Sequence, residues 1–331
     1  MKEALYSSQV KGKTVQCFLC PNECVIQEGN TGICNVRKNI DGKLYSLTYG
    51  RASSVSVDPI EKKPLYHFYP GKEIISIGSI GCNFKCPFCQ NFEISQSTYE
   101  DVTMRDVSSE EIVSLAKEYN SFGISYTYNE PLINYEFLLE TSYLAHRYGL
   151  MNVLVTNGYI NEAPLTNLLP FIDAANIDVK AFKNEFYKRQ CKSSIGPVLR
   201  TVELMFKAKK HIEITNLIIP SLNDSLDEIK DLVDWISSLS VEIPLHFSRY
   251  FPAYKMSISA TPLSTLKKAR ELALKKLRFV YLGNVWEEMG SNTYCPFCGN
   301  LLIERKGYRT KIIGLNGKVC NRCGKKINII H

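Results

Sequence analysis

At 331 residues, 45% hydrophobic and 22% charged, the chain is long enough for one large domain with small appendages, and its composition excludes a disordered or fibrous protein. No apolar run reaches membrane-spanning length and Met1–Tyr6 lacks the apolar core of a signal peptide, so the expected setting is the cytoplasm, with no membrane partner. The net charge of +7 counts every thiol as neutral; cysteines bound to metal as thiolates would erase much of that surplus, so the charge does not support a nucleic-acid partner.

Eleven of the twelve cysteines fall in three tight groups, and such grouping in a cytosolic chain reads as metal sites rather than disulfides. The first group lies in residues 1–70, expected to form an N-terminal cysteine-rich metal-binding segment. Cys17, Cys20, Cys24 and Cys34 lie within eighteen residues, with glycine turns between them. Structural zinc is the first reading of this four-thiolate set; a second iron–sulfur cluster is its competitor, since four thiolates suit both. Leu44–Arg51 and Ser53–Asp58 alternate like short strands. Asp58–Pro70 carries three prolines and is expected to be irregular. His67, among aromatics, reads first as a packed histidine and second as a ligand or proton donor.

Lys72–Ile80 reads as a buried strand by its β-branched content. It leads into Gly81-Cys82-Asn83-Phe84-Lys85-Cys86-Pro87-Phe88-Cys89-Gln90-Asn91, a C-x3-C-x2-C spacing with no further cysteine before Cys191. A closed zinc site needs four ligands, and a four-iron cluster normally takes four thiolates, so three would leave one iron open to a small molecule. Phe84, Phe88 and Phe92 would shield such a cluster from water. The Cys82, Cys86, Cys89 spacing resembles the signature of the radical S-adenosylmethionine (SAM) superfamily. The string from Gly81 to Asn91 is similar to the branch containing pyruvate formate-lyase activating enzymes, and the whole chain most resembles the radical SAM component of the AmmeMemoRadiSam set. That resemblance implies a [4Fe-4S] cluster whose open iron is chelated by SAM, and an electron donor such as ferredoxin or flavodoxin. It implies cleavage of SAM to methionine and a 5′-deoxyadenosyl radical that abstracts hydrogen from an unidentified substrate. It also implies Memo-type and AMMECR-type partner proteins.

Beyond the loop, the pattern alternates between helix and strand. Ser108 caps a helix to about Tyr119, and Ile124–Thr127 is strand-like. A long periodic helix over 132–148 precedes a strand at Asn152–Thr156, and a helix near 161–169 precedes Ala174–Lys180. Helices are expected at 197–209, 225–238 and 262–275, and extended segments at His211–Ile219, Ile243–Phe247 and Phe279–Leu282. Repeated strand–helix units imply a parallel sheet with helices outside. The expected fold is α/β, a partial (βα)6-like radical SAM barrel over residues 71–289.

The ends of those strands carry the candidate SAM-binding residues that the resemblance suggests. Asn129-Glu130-Pro131 stands where the superfamily has a glycine-rich turn for the SAM amino group, and Glu130 would suit an ammonium; a helix cap is the plain alternative. Thr156 and Asn157 would meet ribose or carboxylate, or simply turn the chain. Asp178 and Lys180 are expected to face the cavity, or to pair with each other. His246 would contact SAM or substrate, or pack in the core, and strand alternation puts it on one face with Ser248. Cys191 has no partner by spacing and reads as a plain thiol before a hydrogen donor. In residues 290–331, Cys295, Cys298, Cys320 and Cys323 form two C-x2-C-G knuckles twenty-one residues apart, a zinc-ribbon-like domain. Two other functions compete with the radical SAM reading: an activase that makes a glycyl radical on another protein, and a zinc-dependent nucleic-acid-binding protein. The second accounts for the basic C-terminal knuckles but not for the Cys82 loop.

Overall fold

The computed structural model describes residues 1–285 and 290–331, so the boundary expected at residue 289 lies outside the described residues. Eight strands form the central sheet: β1 (Ser54–Pro59), β2 (Glu73–Gly78), β3 (Gly123–Tyr126), β4 (Met151–Thr156), β5 (Ala174–Asp178), β6 (His211–Ile218), β7 (Leu245–Arg249) and β8 (Val280–Gly283). They neighbour one another in chain order. Strands β2 to β8 run parallel, and β1 lies antiparallel on β2, so the sheet is mixed. A parallel pair needs a crossover. The six crossovers carry α1 (Ser109–Glu118), α2 (Tyr135–Arg147), α3 (Glu162–Leu168), α4 (Gly196–Lys207), α5 (Leu226–Leu239) and α6 (Leu263–Ala273).

Local chemistry sets these elements. The Ser108 and Ser225 hydroxyls accept hydrogen bonds from Glu111 N at 3.1 Å and Glu228 N at 3.3 Å, starting α1 and α5 at the first turn's free N–H groups. All four residues of β3 are buried, as are seven of eight in β6, because helices and loops cover both faces. The expected strands and helices are found within a few residues of their predicted limits. The strand expected over Leu44–Arg51 is interrupted by a turn at 47–50, between Lys43–Ser46 and Arg51–Ala52; two further features differ. Ser53–Asp58, read as a strand of the N-terminal segment, instead joins the central sheet as β1, with Val55 opposite Ile77 and Val57 opposite Ile75. An antiparallel neighbour can pair across a short connection, and it covers what would be the open edge of β2. Asn184–Cys191 forms a short helical segment that no sequence signal marked.

The remaining strands flank this sheet. Near the amino terminus, Lys2–Glu3, Arg37–Ile40 and Lys43–Ser46 make one small antiparallel sheet, and Ser7–Lys11, Thr14–Cys17 and Val25–Ile26 another. A buried ion pair fastens them to α2: Arg37 Nη2 lies 2.9 Å from Glu136 Oε1, with both side chains 2% exposed. Residues 291–330 pack under the amino ends of the last strands, where Phe279 and Tyr281 share an apolar cluster with Cys295, Leu302, Ile303 and Ile329.

Candidate active site

The carboxyl ends of β2 to β7 open onto a cleft of about 1440 Å³, including its solvent-open part. Active sites of parallel sheets form at this end, where loops diverge from a rigid scaffold. Cys82, Cys86 and Cys89 line the cleft, and so do Asn129, Glu130, Thr156, Asn157, Asp178 and Lys180. One cavity thus unites the three loop cysteines with six of the seven candidate ligand-binding residues.

The scaffold holding the cysteine loop is polar and specific. Asn129 Nδ2 donates to Ile80 O at 2.9 Å and Gly81 O at 3.0 Å, while its Oδ1 accepts from Ser79 N at 2.9 Å. Asn157 Nδ2 donates to Asn83 Oδ1 at 2.9 Å and lies 3.7 Å from Cys82 Sγ. Glu130 accepts from Thr156 Oγ1 at 2.6 Å, Asn157 N at 2.8 Å and Leu132 N at 3.1 Å. Burial pushes the Glu130 carboxyl up to about 7, against the lowering effect of these donors. Asn129 and Glu130 therefore tie the ends of β2, β3 and β4 together beneath the loop.

Lys180 Nζ sits 3.0 Å from Asp178 Oδ2. Burial disfavours its charge, but Asp178, Cys86 and Cys191 outweigh that and hold Lys180 well above the usual lysine range. Lys63, also on the cleft wall, pairs with Asp58 Oδ2 at 2.7 Å, and burial brings its ammonium down to about 8. Asp58 further binds Lys62 and the Tyr128 hydroxyl.

His246 lies elsewhere. Its Nε2 is 2.6 Å from Glu213 Oε2, and His211 Nε2 is 3.0 Å from Glu213 Oε1. Burial opposes ionisation of Glu213, but these two hydrogen bonds outweigh it and keep the carboxylate well below its usual range. His246 does share its strand face with Ser248, but the two stand at different depths: Ser248 reaches the cleft, and His246 is one step nearer the amino end. His67 joins this lower layer as a packed histidine, with Nδ1 2.9 Å from Asn328 O and Nε2 2.6 Å from the Tyr281 hydroxyl.

Two features around the cleft escaped the sequence reading, the approach of Cys191 to Cys86 behind the cleft wall and the place of Thr215 in it. Cys191 Sγ lies 3.5 Å from Cys86 Sγ, and Lys85 N donates to Cys191 O at 3.1 Å. No spacing rule joins positions 105 apart. Thr215 lines the cleft, and its buried hydroxyl has no partner among the described residues. Its signal was available, because Glu213, Thr215 and Leu217 alternate along β6 as His246 and Ser248 do along β7.

A profile of the Radical SAM superfamily matches residues 76–236, the span from β2 through most of α5. Over its full length the chain is 46% identical to the uncharacterized protein MJ0808 of Methanocaldococcus jannaschii, covering 100% of both chains. The chain belongs to the radical SAM superfamily. The pyruvate formate-lyase-activating enzyme of Clostridium pasteurianum is 24% identical over 48% of this chain and 67% of its own. A radical SAM methyltransferase from Sphaerobacter thermophilus has the same fold, with a TM-score of 0.51 and 15% identity over 65% of this chain and 67% of that one.

Radical SAM membership implies a [4Fe-4S] cluster and SAM, and the residues present fit both. Three thiols face one cavity, a lysine and a carboxylate stand side by side in it, and a buried hydroxyl there lacks a partner among the described residues. A separate group forms near the carboxyl terminus, where the ligand atoms of Cys295, Cys298, Cys320 and Cys323 all lie within 4.8 Å of one another, a group able to hold a metal ion. Among the described residues no helix is long and apolar enough to cross a membrane.

Proposed function

We propose that the chain is a radical SAM enzyme whose cluster is held by Cys82, Cys86 and Cys89 and whose SAM occupies the cleft beside Lys180, Asp178 and Thr215. The observation that carries the reading is the convergence of these three thiols with a paired cation and anion in one cleft at the carboxyl end of the sheet. When bound, the cluster and SAM supply a one-electron cleavage of the sulfonium and, from it, hydrogen abstraction from a substrate. The chain's own residues do the positioning. Asn129 and Asn157 fix the loop, and Glu130 locks the strand ends under it. Lys180 and Asp178 offer complementary charges to an amino acid's carboxylate and ammonium. Phe84 and Phe88, both buried, keep water from the thiols.

The test is anaerobic reconstitution. Wild-type protein should turn brown, bind iron and sulfide, and cleave SAM under a low-potential reductant. Cys86→Ala should lose cleavage by at least about a hundredfold, as removal of an essential ligand does; full cleavage by that variant would refute the assignment. The AmmeMemoRadiSam likeness supports Memo-type and AMMECR-type partners and a ferredoxin or flavodoxin donor. The four close C-terminal thiols support zinc, whose bonds to sulfur of about 2.3 Å set S–S separations near 3.8 Å; Cys295–Cys323 and Cys298–Cys320 are each 3.7 Å apart. A second reading, activation of a glycyl-radical enzyme, is favoured by the likeness to pyruvate formate-lyase-activating enzyme. It predicts a glycyl-radical resonance on a partner protein after incubation with the reduced enzyme and SAM.

A further inference from the structure

The three cysteine groups differ in spread. All four C-terminal ligand atoms lie within 4.8 Å of one another, whereas no three of Cys17, Cys20, Cys24 and Cys34 do, and neither do Cys82, Cys86 and Cys89. A single ion draws its sulfurs to one short radius; a cluster puts irons between them and holds the thiolates farther apart. The N-terminal set therefore has the open spacing of the radical SAM loop and not the tight spacing of an ion site.

The four N-terminal cysteines nevertheless face one another around a single cavity of about 330 Å³, including its solvent-open part. Cys24 accepts from Ile33 N at 3.5 Å, and backbone N–H groups of Asn22 and of Val36 also reach Cys20 and Cys34. Gly32 keeps the wall clear: a Cβ there would stand 3.4 Å from Cys24 Sγ. Arg37 lines the same cavity, and its buried Nε has no partner among the described residues, a donor suited to an inorganic sulfide. We infer that Cys17, Cys20, Cys24 and Cys34 hold a second [4Fe-4S] cluster, closed by four thiolates and set directly behind the Cys82 loop. Asn83 lines the N-terminal cavity and follows Cys82, and Asn22 Nδ2 donates to Asn83 O at 2.9 Å. One residue thus belongs to both cradles.

The experiment uses full-length protein reconstituted anaerobically with iron and sulfide and then counted for iron, sulfide and zinc. Wild type should hold about eight irons per chain, and a variant combining Cys82→Ala, Cys86→Ala and Cys89→Ala about four. The reduced variant should give an electron paramagnetic resonance signal that SAM leaves unchanged, because no iron is open. A companion with Cys20→Ala and Cys24→Ala should hold about four irons whose signal does respond to SAM. Four irons and two zincs in wild type, or a triple variant holding zinc or two irons in place of four, would overturn the inference while leaving the radical SAM reading intact. If the Cys82 loop held no cluster, the companion would be iron-free and the triple variant would keep its four. Should the triple variant not fold, the wild-type count and the companion decide between these outcomes.

Discussion

His67, read first from the sequence as a packed histidine, is put to structural use. Its ring is fully buried, with one nitrogen facing a carbonyl and the other a hydroxyl, and burial lowers its pKa from 6.5 to about 4 despite the nearby Glu213. Between those values the unfolded chain takes up a proton that the folded chain refuses. Stability is therefore intact above pH 6.5 and falls as the pH drops toward 4, by about 3 kcal/mol for this group. His67→Asn preserves a donor to Asn328 O and removes the titration. Chemical denaturation at pH 7 and pH 4.5 should show the wild type losing more stability than the variant over that interval; equal losses would contradict the argument. At this scale the sequence was informative where a side chain's role follows from its type. Three thiols at loop spacing marked the cleft they line, but a histidine's role depends on depth. His246 and Ser248 share a strand face that alternation reveals, while only the folded sheet separates the floor from the cleft.

The element that matters most is the turn joining β2 to the cysteine loop. Gly81 has φ +84°, and a Cβ there would stand 2.4 Å from Cys34 O and 2.8 Å from Val36 Cγ1. Only glycine fits, both for its backbone conformation and for the contact. Gly81→Ala should cost roughly 3 kcal/mol, from left-handed strain together with a clash against the main chain. It should also reduce iron retention by the loop, measured as iron per chain after reconstitution; a variant matching wild type in both midpoint and iron would contradict this packing. Most strands and helices were legible, because β-branched runs and serine caps are local signals. The place of β1 was not, since its pairing with β2 spans an irregular, proline-bearing stretch. Nor was the Cys191 approach to Cys86, which depends on a short helical segment with no strong cap or period.

Across the whole molecule, the C-terminal segment braces the amino end of the sheet. Arg305, 0% exposed, donates to Tyr66 O at 2.7 Å and Thr293 Oγ1 at 2.8 Å, and Thr310 Oγ1 donates to Glu61 Oε1 at 2.7 Å. Loss of metal from the Cys295 group should therefore destabilise the sheet and not the knuckles alone. Cys298→Ser, or a strong chelator, should lower unfolding free energy by roughly 3 kcal/mol or more, read by thermal unfolding. Iron bound at the Cys82 loop, on the opposite side of the sheet, should be retained; a variant with unchanged unfolding would show that the segment braces nothing.

This brace also dictates an order of events during synthesis. Asn328 is translated 261 positions after the His67 ring it meets, and Ile330 pairs backbone to backbone with His67 and Tyr69. At about 5–20 residues per second, a ribosome takes on the order of 10–50 s to cover that distance. For most of that interval Cys17–Cys34 and Cys82–Cys89 have already been made while the underside of their scaffold stays unsealed, so a chaperone would meet an open-bottomed chain.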